Sequence, residues 1–305
     1  MNSAFSNKIK AEALRLGFFA CGIAEAQPVD ADTAHRFTQW LSQGRQAEMH
    51  YMENHLDKRL DPRLLMQGVR SIVCVALNYS PAQRIPADEY QIAAYAYGHD
   101  YHDIVKQKLH QLAAFVGVTD YRVFSDSAPI LERYWAVQAG LGWEGRNHQL
   151  IIPQAGSMFF LGELFLPIEL HYDTPQSPRC GNCHRCLDAC PTKALTDDGF
   201  DASRCISYQT IENRQAIPPD IAAKMGNSIY GCDRCQQACP WNRFARPTDE
   251  PLLQPRPELL QMTKEKWRHL TEDDYRRLFK GSAVKRAKYS GLTRNIKAIN
   301  DHETD

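Results

Sequence analysis

The cysteine spacing limits this chain more than any other feature. Eight of its ten cysteines fall between Cys180 and Cys239. The first group reads Cys180-Gly-Asn-Cys183-His-Arg-Cys186-Leu-Asp-Ala-Cys190-Pro191. This is the C-x2-C-x2-C-x3-C-P run of bacterial-type [4Fe–4S] proteins. Three closely spaced thiolates wrap one face of a cubane, and the fourth ligates the other cluster. A second run should therefore exist, and Cys232-Asp-Arg-Cys235-Gln-Gln-Ala-Cys239-Pro240 is one cysteine short of it. Cys205 can supply the missing thiolate. Cluster one then takes Cys180, Cys183, Cys186 and Cys239, and cluster two takes Cys190, Cys205, Cys232 and Cys235. Four-cysteine zinc also uses C-x2-C, but the Cys-Pro endings and the tight triplet are iron–sulfur features.

Where the chain works decides between metal and disulfides. No apolar run approaches the roughly 18 residues that span a bilayer. Lys8, Lys10, Glu12 and Arg15 break any signal-peptide core. A soluble, cytoplasmic protein without a membrane partner is expected, and there dense cysteine means metal. Cys21 and Cys74 lie in apolar segments and read as inert, small buried hydrophobes. With 305 residues, 43% hydrophobic and 24% charged, the chain is globular and long enough for about two domains.

Hydrophobic periodicity predicts a helix over 4–16, a buried strand at GFFACGIA, and a helix over 31–55 anchored by Phe37, Trp40, Leu41, Met49 and Met52. It further predicts a strand over 71–79, a helix over 101–117 and a strand over 121–126. Pro129 suits the first turn of a helix reaching about 139, closed by Gly140 and Gly142. Residues 148–167 read as a hairpin with a Pro-Gln-Ala-Gly turn. Strands alternating with helices argue for an α/β or α+β domain over 1–170. The segment 171–250 is polar and cysteine-rich and needs bound metal to hold it. Residues 251–305 form a Pro-punctuated helical tail.

Two clusters carry single electrons but do not name the acceptor. The other domain offers Asp126, where a strand gives way to a helix, a usual place for functional groups. From the residues alone the N-cap reading of Asp126 is favoured. Gly140, Gly142 and Gly145 would let backbone approach a ligand, and Trp143 reads as core.

Taken together, these residues resemble the epoxyqueuosine reductase family over nearly the whole chain. The resemblance rests on Arg59-Leu-Asp61-Pro62, Tyr97-Gly-His-Asp-Tyr-His102, Asp126-Ser-Ala-Pro-Ile-Leu-Glu-Arg133, Gly140-Leu-Gly-Trp-Glu-Gly-Arg-Asn147, Gly156-Ser157 through Phe159-Phe-Leu-Gly-Glu163, the eight cysteines, Arg204-Cys-Ile-Ser-Tyr208, Gly226-Asn227 and Tyr230-Gly-Cys-Asp233. It implies an α+β fold: an α/β cobalamin-binding domain related to reductive dehalogenases, a ferredoxin-like domain with two [4Fe–4S] clusters, and a short helical tail. It implies an oxidoreductase that removes the epoxide oxygen of epoxyqueuosine at the wobble position of tRNA in queuosine biosynthesis. Cobalamin would lie between the first two domains. Asp126 matches the proton donor, which must then be protonated near neutral pH. Leu150 and Leu161 match cobalamin contacts made through backbone. Asp233 and Cys232 would set cluster two beside the corrin, with Ser207 reaching it from the same side. Arg59 and Tyr97 are further cobalamin contacts. No Asp-x-His-x-x-Gly run is present, so cobalt without a protein His ligand is expected; a His-type hyperfine pattern in the cobalt(II) EPR spectrum would overturn this.

Some family members carry a C-terminal helical-repeat region, and this chain reaches Asp305 with little or none of it. Formal net charge is zero, but residues 264–297 hold eleven Lys or Arg against four acids, 11 − 4 = +7. Phosphate neutralisation dominates non-specific RNA affinity, so with the family resemblance the asymmetry points to tRNA. An external low-potential electron donor and a monomer are expected. Two other readings compete: a reductive dehalogenase-like reductase of small molecules, and an electron-transfer subunit with clusters and no cobalamin.

Overall fold

The computed structural model describes residues 3–303. Helix α1 (Ser3–Arg15) leads into strand β1 (Ala20–Glu25), and helices α2 (Ala31–Ser42) and α3 (Leu56–Leu60) precede β2 (Ser71–Asn78). A short β3 (Gln91–Ile92) comes before α4 (Tyr101–Val116), β4 (Arg122–Phe124) and α5 (Glu132–Gln138). Then come β5 (Trp143–Glu144), β6 (Leu150–Ile151) and β7 (Phe159–Leu166). The central sheet runs β1-β2-β7-β4 with every neighbour antiparallel. The first half is therefore α+β, although helices separate its strands.

Period-two patterning explains the burial. Val73, Val75 and Leu77 of β2 point to one face, where Ile9 and Ala13 of α1 and Ile104, Val105, Leu109 and Leu112 of α4 cover them. Ile72, Cys74 and Ala76 point to the other, against Trp135 and Ala136 of α5. A strand covered on both faces reads as a continuous apolar run, as SIVCVAL does. Gly162 of β7 lets α4 seat closely, since a Cβ there would lie 2.5 Å from Val105.

Several sequence expectations change. The 31–55 helix stops at Ser42, because Gly44 takes φ +66° and turns the chain. None of α2 is buried, and Trp40 instead donates its indole N–H to Phe200 O at 2.7 Å. The helix expected from Pro129 begins only at Glu132. The hairpin expected over 148–167 is divided. Leu150–Ile151 pairs with Trp143–Glu144, while Phe159–Leu166 enters the central sheet, where partners on both sides satisfy its ladder.

The tail does not stand apart. Trp267, Phe279, Leu292 and Ile296 share one core with Tyr90, Tyr97, Ile206, Met225 and Tyr230. Asn295 fastens it by donating to Thr210 O and Ile229 O, both at 2.8 Å. Strand Ser228–Tyr230 pairs in parallel with β3, tying the cysteine-rich segment to the first half.

Candidate active site and cluster ligands

The two cysteine foursomes obtained by counting also separate in space. Cys180, Cys183, Cys186 and Cys239 line one cavity of ≈ 120 Å³. Cys190, Cys205, Cys232 and Cys235 are close enough to act on one another electrostatically. Backbone N–H groups of Ser207 and Tyr208 point at the Cys205 sulfur, and those of Trp241 and Asn242 at Cys239. Such donors stabilise thiolate and shape cluster potential. Trp143 is fully buried and offers its indole N–H to Cys180 Sγ at 3.5 Å. Burial pushes the Cys21 thiol up to about 12 and the Cys74 thiol well up, as expected of inert thiols.

Asp126 follows β4 in the left-handed region at φ +56°. Such a conformation is uncommon outside glycine, though least so for Asp and Asn. It does not cap α5, which starts six residues later. Its carboxylate accepts a hydrogen bond from Tyr101 Oη and lies 3.6 Å from His102 Nε2. The other nitrogen of that ring, Nδ1, is 2.6 Å from Asp100 Oδ1. The Asp126 side chain is 61% exposed. Burial by the surrounding protein raises its carboxyl, but the bonds from His102 and Tyr101 outweigh it and leave the carboxyl below its ordinary range. These contacts work against the expectation of a protonated Asp126. Burial lowers the His102 imidazole, but the hydrogen bond with Asp100 and the Asp126 carboxylate 3.6 Å away prevail and raise it to about 9.

This has a measurable consequence. A raised histidine stabilises fully below its unfolded value, near 6.5, and the contribution is lost as pH rises through about 9. Tm should fall across that window in the wild type, and His102→Gln should flatten the fall. An unchanged pH–Tm curve in the variant would refute the ion-pair assignment.

The other candidates differ in placement. Arg59 is buried with its guanidinium 5.8 Å from the Phe37 ring centroid. Its Nη2 donates to Tyr51 O at 3.3 Å, and its buried Nε has no partner among the described residues. Tyr51, Arg59, Glu212, Arg286 and Asp126 act on one another across one space. Asp233 accepts the Ala94 N–H at 2.8 Å and stands 4.0 Å from Arg84, adjoining cluster-two cysteines. Ser207 is half-buried. Leu150 is buried in β6, while Leu161 of β7 accepts the Ser125 hydroxyl at its carbonyl. Tyr97 is 2% exposed, and its hydroxyl accepts the Ile85 N–H, so its ring offers no open face to a cofactor. The space gained by Gly142 is filled by Ile151 O, 2.0 Å from where a Cβ would stand, and that beside Gly140 by Thr174 O. These glycines serve chain packing.

Sequence reasoning missed the partners of Asp126. Tyr101 and His102 open α4, and Glu132 and Glu163 lie behind Asp126. The only signal was their place inside the family motifs. Tyr101 stacks on Phe160 at 4.0 Å and 2°, Phe160 meets Tyr79 at 4.6 Å, and the Tyr79 hydroxyl bonds Gln236, next to Cys235. The tail borders the same groups. Asp100 N donates to Gly281 O, Lys285 acts on Asp100, and Arg286 lies 5.8 Å from the Tyr51 ring centroid. Part of its charge is used internally. Arg286 pairs with Glu212 and Arg276 with Glu272, while Arg294 donates to backbone carbonyls. Lys280, Lys288 and Lys297 are exposed.

Two four-cysteine sites and an exposed, hydrogen-bonded aspartate in one fold are those of an iron–sulfur protein with a place for proton chemistry. Residues 179–242 match the 4Fe-4S double cluster binding domain, and residues 59–127 match the family described as epoxyqueuosine reductase QueG, DUF1730. Epoxyqueuosine reductase of Cellulophaga algicola is 47% identical over 95% of this chain and 96% of its own length. That of Xanthomonas campestris is 41% identical over 95% of this chain and 84% of its own. The chain belongs to the epoxyqueuosine reductase family and is an oxidoreductase. The crystal structure of an epoxyqueuosine reductase with an epoxyqueuosine-modified tRNA-Tyr stem loop superposes with TM-score 0.89 at 28% identity, covering 99% of this chain and 82% of that one. A Bacillus subtilis epoxyqueuosine reductase, described with its aspartate-bearing catalytic loop swung out of the active site, gives 0.88 at 28%, covering 98% and 81%. A catabolic reductive dehalogenase at 16% identity and TM-score 0.51, covering 98% of this chain and 36% of its own, shares the fold. No described helix is long and apolar enough to cross a membrane.

Proposed function

We propose that this protein reduces epoxyqueuosine to queuosine in tRNA. Its two clusters would supply electrons to a cobalamin held near Asp126, and Asp126 would deliver the proton to the departing epoxide oxygen. The observation that carries this reading is the Asp126–His102 pair. His102 Nε2 lies 3.6 Å from the exposed Asp126 carboxylate, and its raised imidazole gives the pair a proton to transfer.

The residues present fit cobalamin. The buried Arg59 Nε lacks an acceptor among the described residues, and cobalamin carries amide carbonyls and a phosphate. Leu150 and Leu161 would flank it with apolar surface and backbone, and Asp233 and Ser207 would hold it on the cluster side. Bound there, cobalamin supplies the strongly reducing centre that an epoxide C–O bond requires. The chain's own residues handle the proton. His102 stores it, and Tyr101 Oη fixes the Asp126 carboxylate by donating to it. Substrate closing over Asp126 would exclude water, raise its carboxyl and draw the proton across from His102.

The relative crystallised with a modified tRNA stem loop supports RNA as the substrate here, as does the basic tail. Each phosphate contact made by Lys280, Lys288 or Lys297 should contribute about 0.7–0.9 to the slope of log affinity against log salt. Changing all three to Ala should flatten that slope, measured by filter binding, and leave iron content unaltered. An unchanged slope would remove the tail from the RNA interface.

The reading is tested with anaerobically reconstituted protein, cobalamin, a low-potential reductant and tRNA bearing epoxyqueuosine. Digestion and mass spectrometry should show loss of one oxygen, dependent on cobalamin. No conversion by protein holding both clusters and cobalamin would favour a small-molecule reductase.

A further inference from the structure

Behind Asp126 lie two carboxyl groups with no part in the proposed reaction. Glu163 is on β7, paired with Cys74 of β2 on one side and Phe124 of β4 on the other, and its exposure is 0%. Among the described residues, no N–H or hydroxyl donates to either of its oxygens, and no cation acts on it. The group within hydrogen-bonding reach is another carboxyl, that of Glu132 at the start of α5. Glu132 also accepts the backbone N–H of Asp126 at Oε1.

Two carboxylates cannot hydrogen-bond, since neither has a donor. Ionising a fully buried carboxyl without a partner costs several kcal/mol, and placing a second charge against it costs more. A proton between them removes the repulsion and supplies the missing donor, as in other carboxyl pairs that share a site.

We infer that Glu132 and Glu163 form a proton-holding carboxyl pair that fixes the Asp126 turn, Glu163 donating to Glu132 and Glu132 accepting the Asp126 amide. Both are positioning residues for the proton donor. The inference rests on Asp126 having that role. The pair's protonation can be read without it. Burial together with the neighbouring carboxylates pushes Glu163 well up and Glu132 up to about 8, in the direction the geometry requires. The groups facing the pair are Asp126, His102 and Arg133, with Tyr101 from α4 and Cys74 from β2. The turn it holds is left-handed at Asp126 and runs to Leu131 outside any helix; besides Ser125 Oγ on Leu161 O and Lys106 on Ser127, the Glu132 carboxyl is the contact that grips the Asp126 backbone.

The test uses holoprotein at neutral pH. Infrared spectra should show a buried carboxylic-acid C=O band that glutamate isotope labelling shifts and Glu163→Gln removes. Glu163→Gln should stay within a few-fold of wild type in turnover, because the amide N–H donates to Glu132 as the acid does. Glu132→Ala should speed hydrogen exchange across 126–131 and lower kcat by roughly 10²-fold at unchanged tRNA KM, as expected for a displaced catalytic group. Absence of the acid band, or exchange and kcat unchanged in Glu132→Ala, overturns the pair. Full turnover in Asp126→Asn, with the band intact, would instead count against Asp126 as donor.

Discussion

Asp126→Asn should retain both clusters and cobalamin and lose about 10²–10⁴-fold in epoxide reduction, the range a positioned general acid contributes. The amide keeps the shape of the side chain and can still meet Tyr101 and His102. It cannot accept the proton from His102 and pass it on. Single-turnover kinetics with pre-reduced protein isolates this step, because electron delivery is then complete before substrate arrives. Equal rates in variant and wild type would assign the proton elsewhere, with His102 the next candidate at 3.6 Å from Asp126.

The second large effect concerns the cysteines. Cys239 lies in the second run but shares its cavity with the first triplet. Cys239→Ala should therefore remove cluster one, taking iron from about eight to about four atoms per chain, and abolish turnover. It should also loosen 179–242. Around cluster one the apolar support is small, Trp143 with Ile151 and Cys239, and Cys186 with Leu187 and Leu195, whereas 206–230 belongs to the large core shared with the tail. Cys21→Ala is the control and should keep its iron. If Cys239→Ala kept eight irons, or lost both clusters together, the crosswise assignment would fail or need redrawing.

The cysteine pattern was legible because ligand spacing follows from cubane geometry and is local in sequence. Long elements such as α4 and β2 were legible because burial imposes a period on them. The pairing of β7 was not. An eight-residue apolar run says that partners exist without saying which, and β7 joins β2 and β4 across long separations. The start of α5 was misjudged because a favourable Pro129 is overridden by a tertiary contact, Glu132 reaching back to Asp126. The proton side of the site was hidden for a related reason. Tyr101, His102, Glu132 and Glu163 come from three elements, and only the fold brings them to Asp126.

The stack of rings from Tyr101 through Phe160 to Tyr79 has an implication for traffic through the molecule. Protons travel along hydrogen-bonded groups and water, whereas electrons tunnel through packed carbon. The rings run in series from Tyr101, whose hydroxyl donates to Asp126, to Tyr79, whose hydroxyl donates to Gln236 beside Cys235. On the proposed reading, reducing equivalents crossing along this stack would pass ring carbon that offers a proton no chain of donors and acceptors. The two reagents would then stand next to each other, without one leaking toward the source of the other.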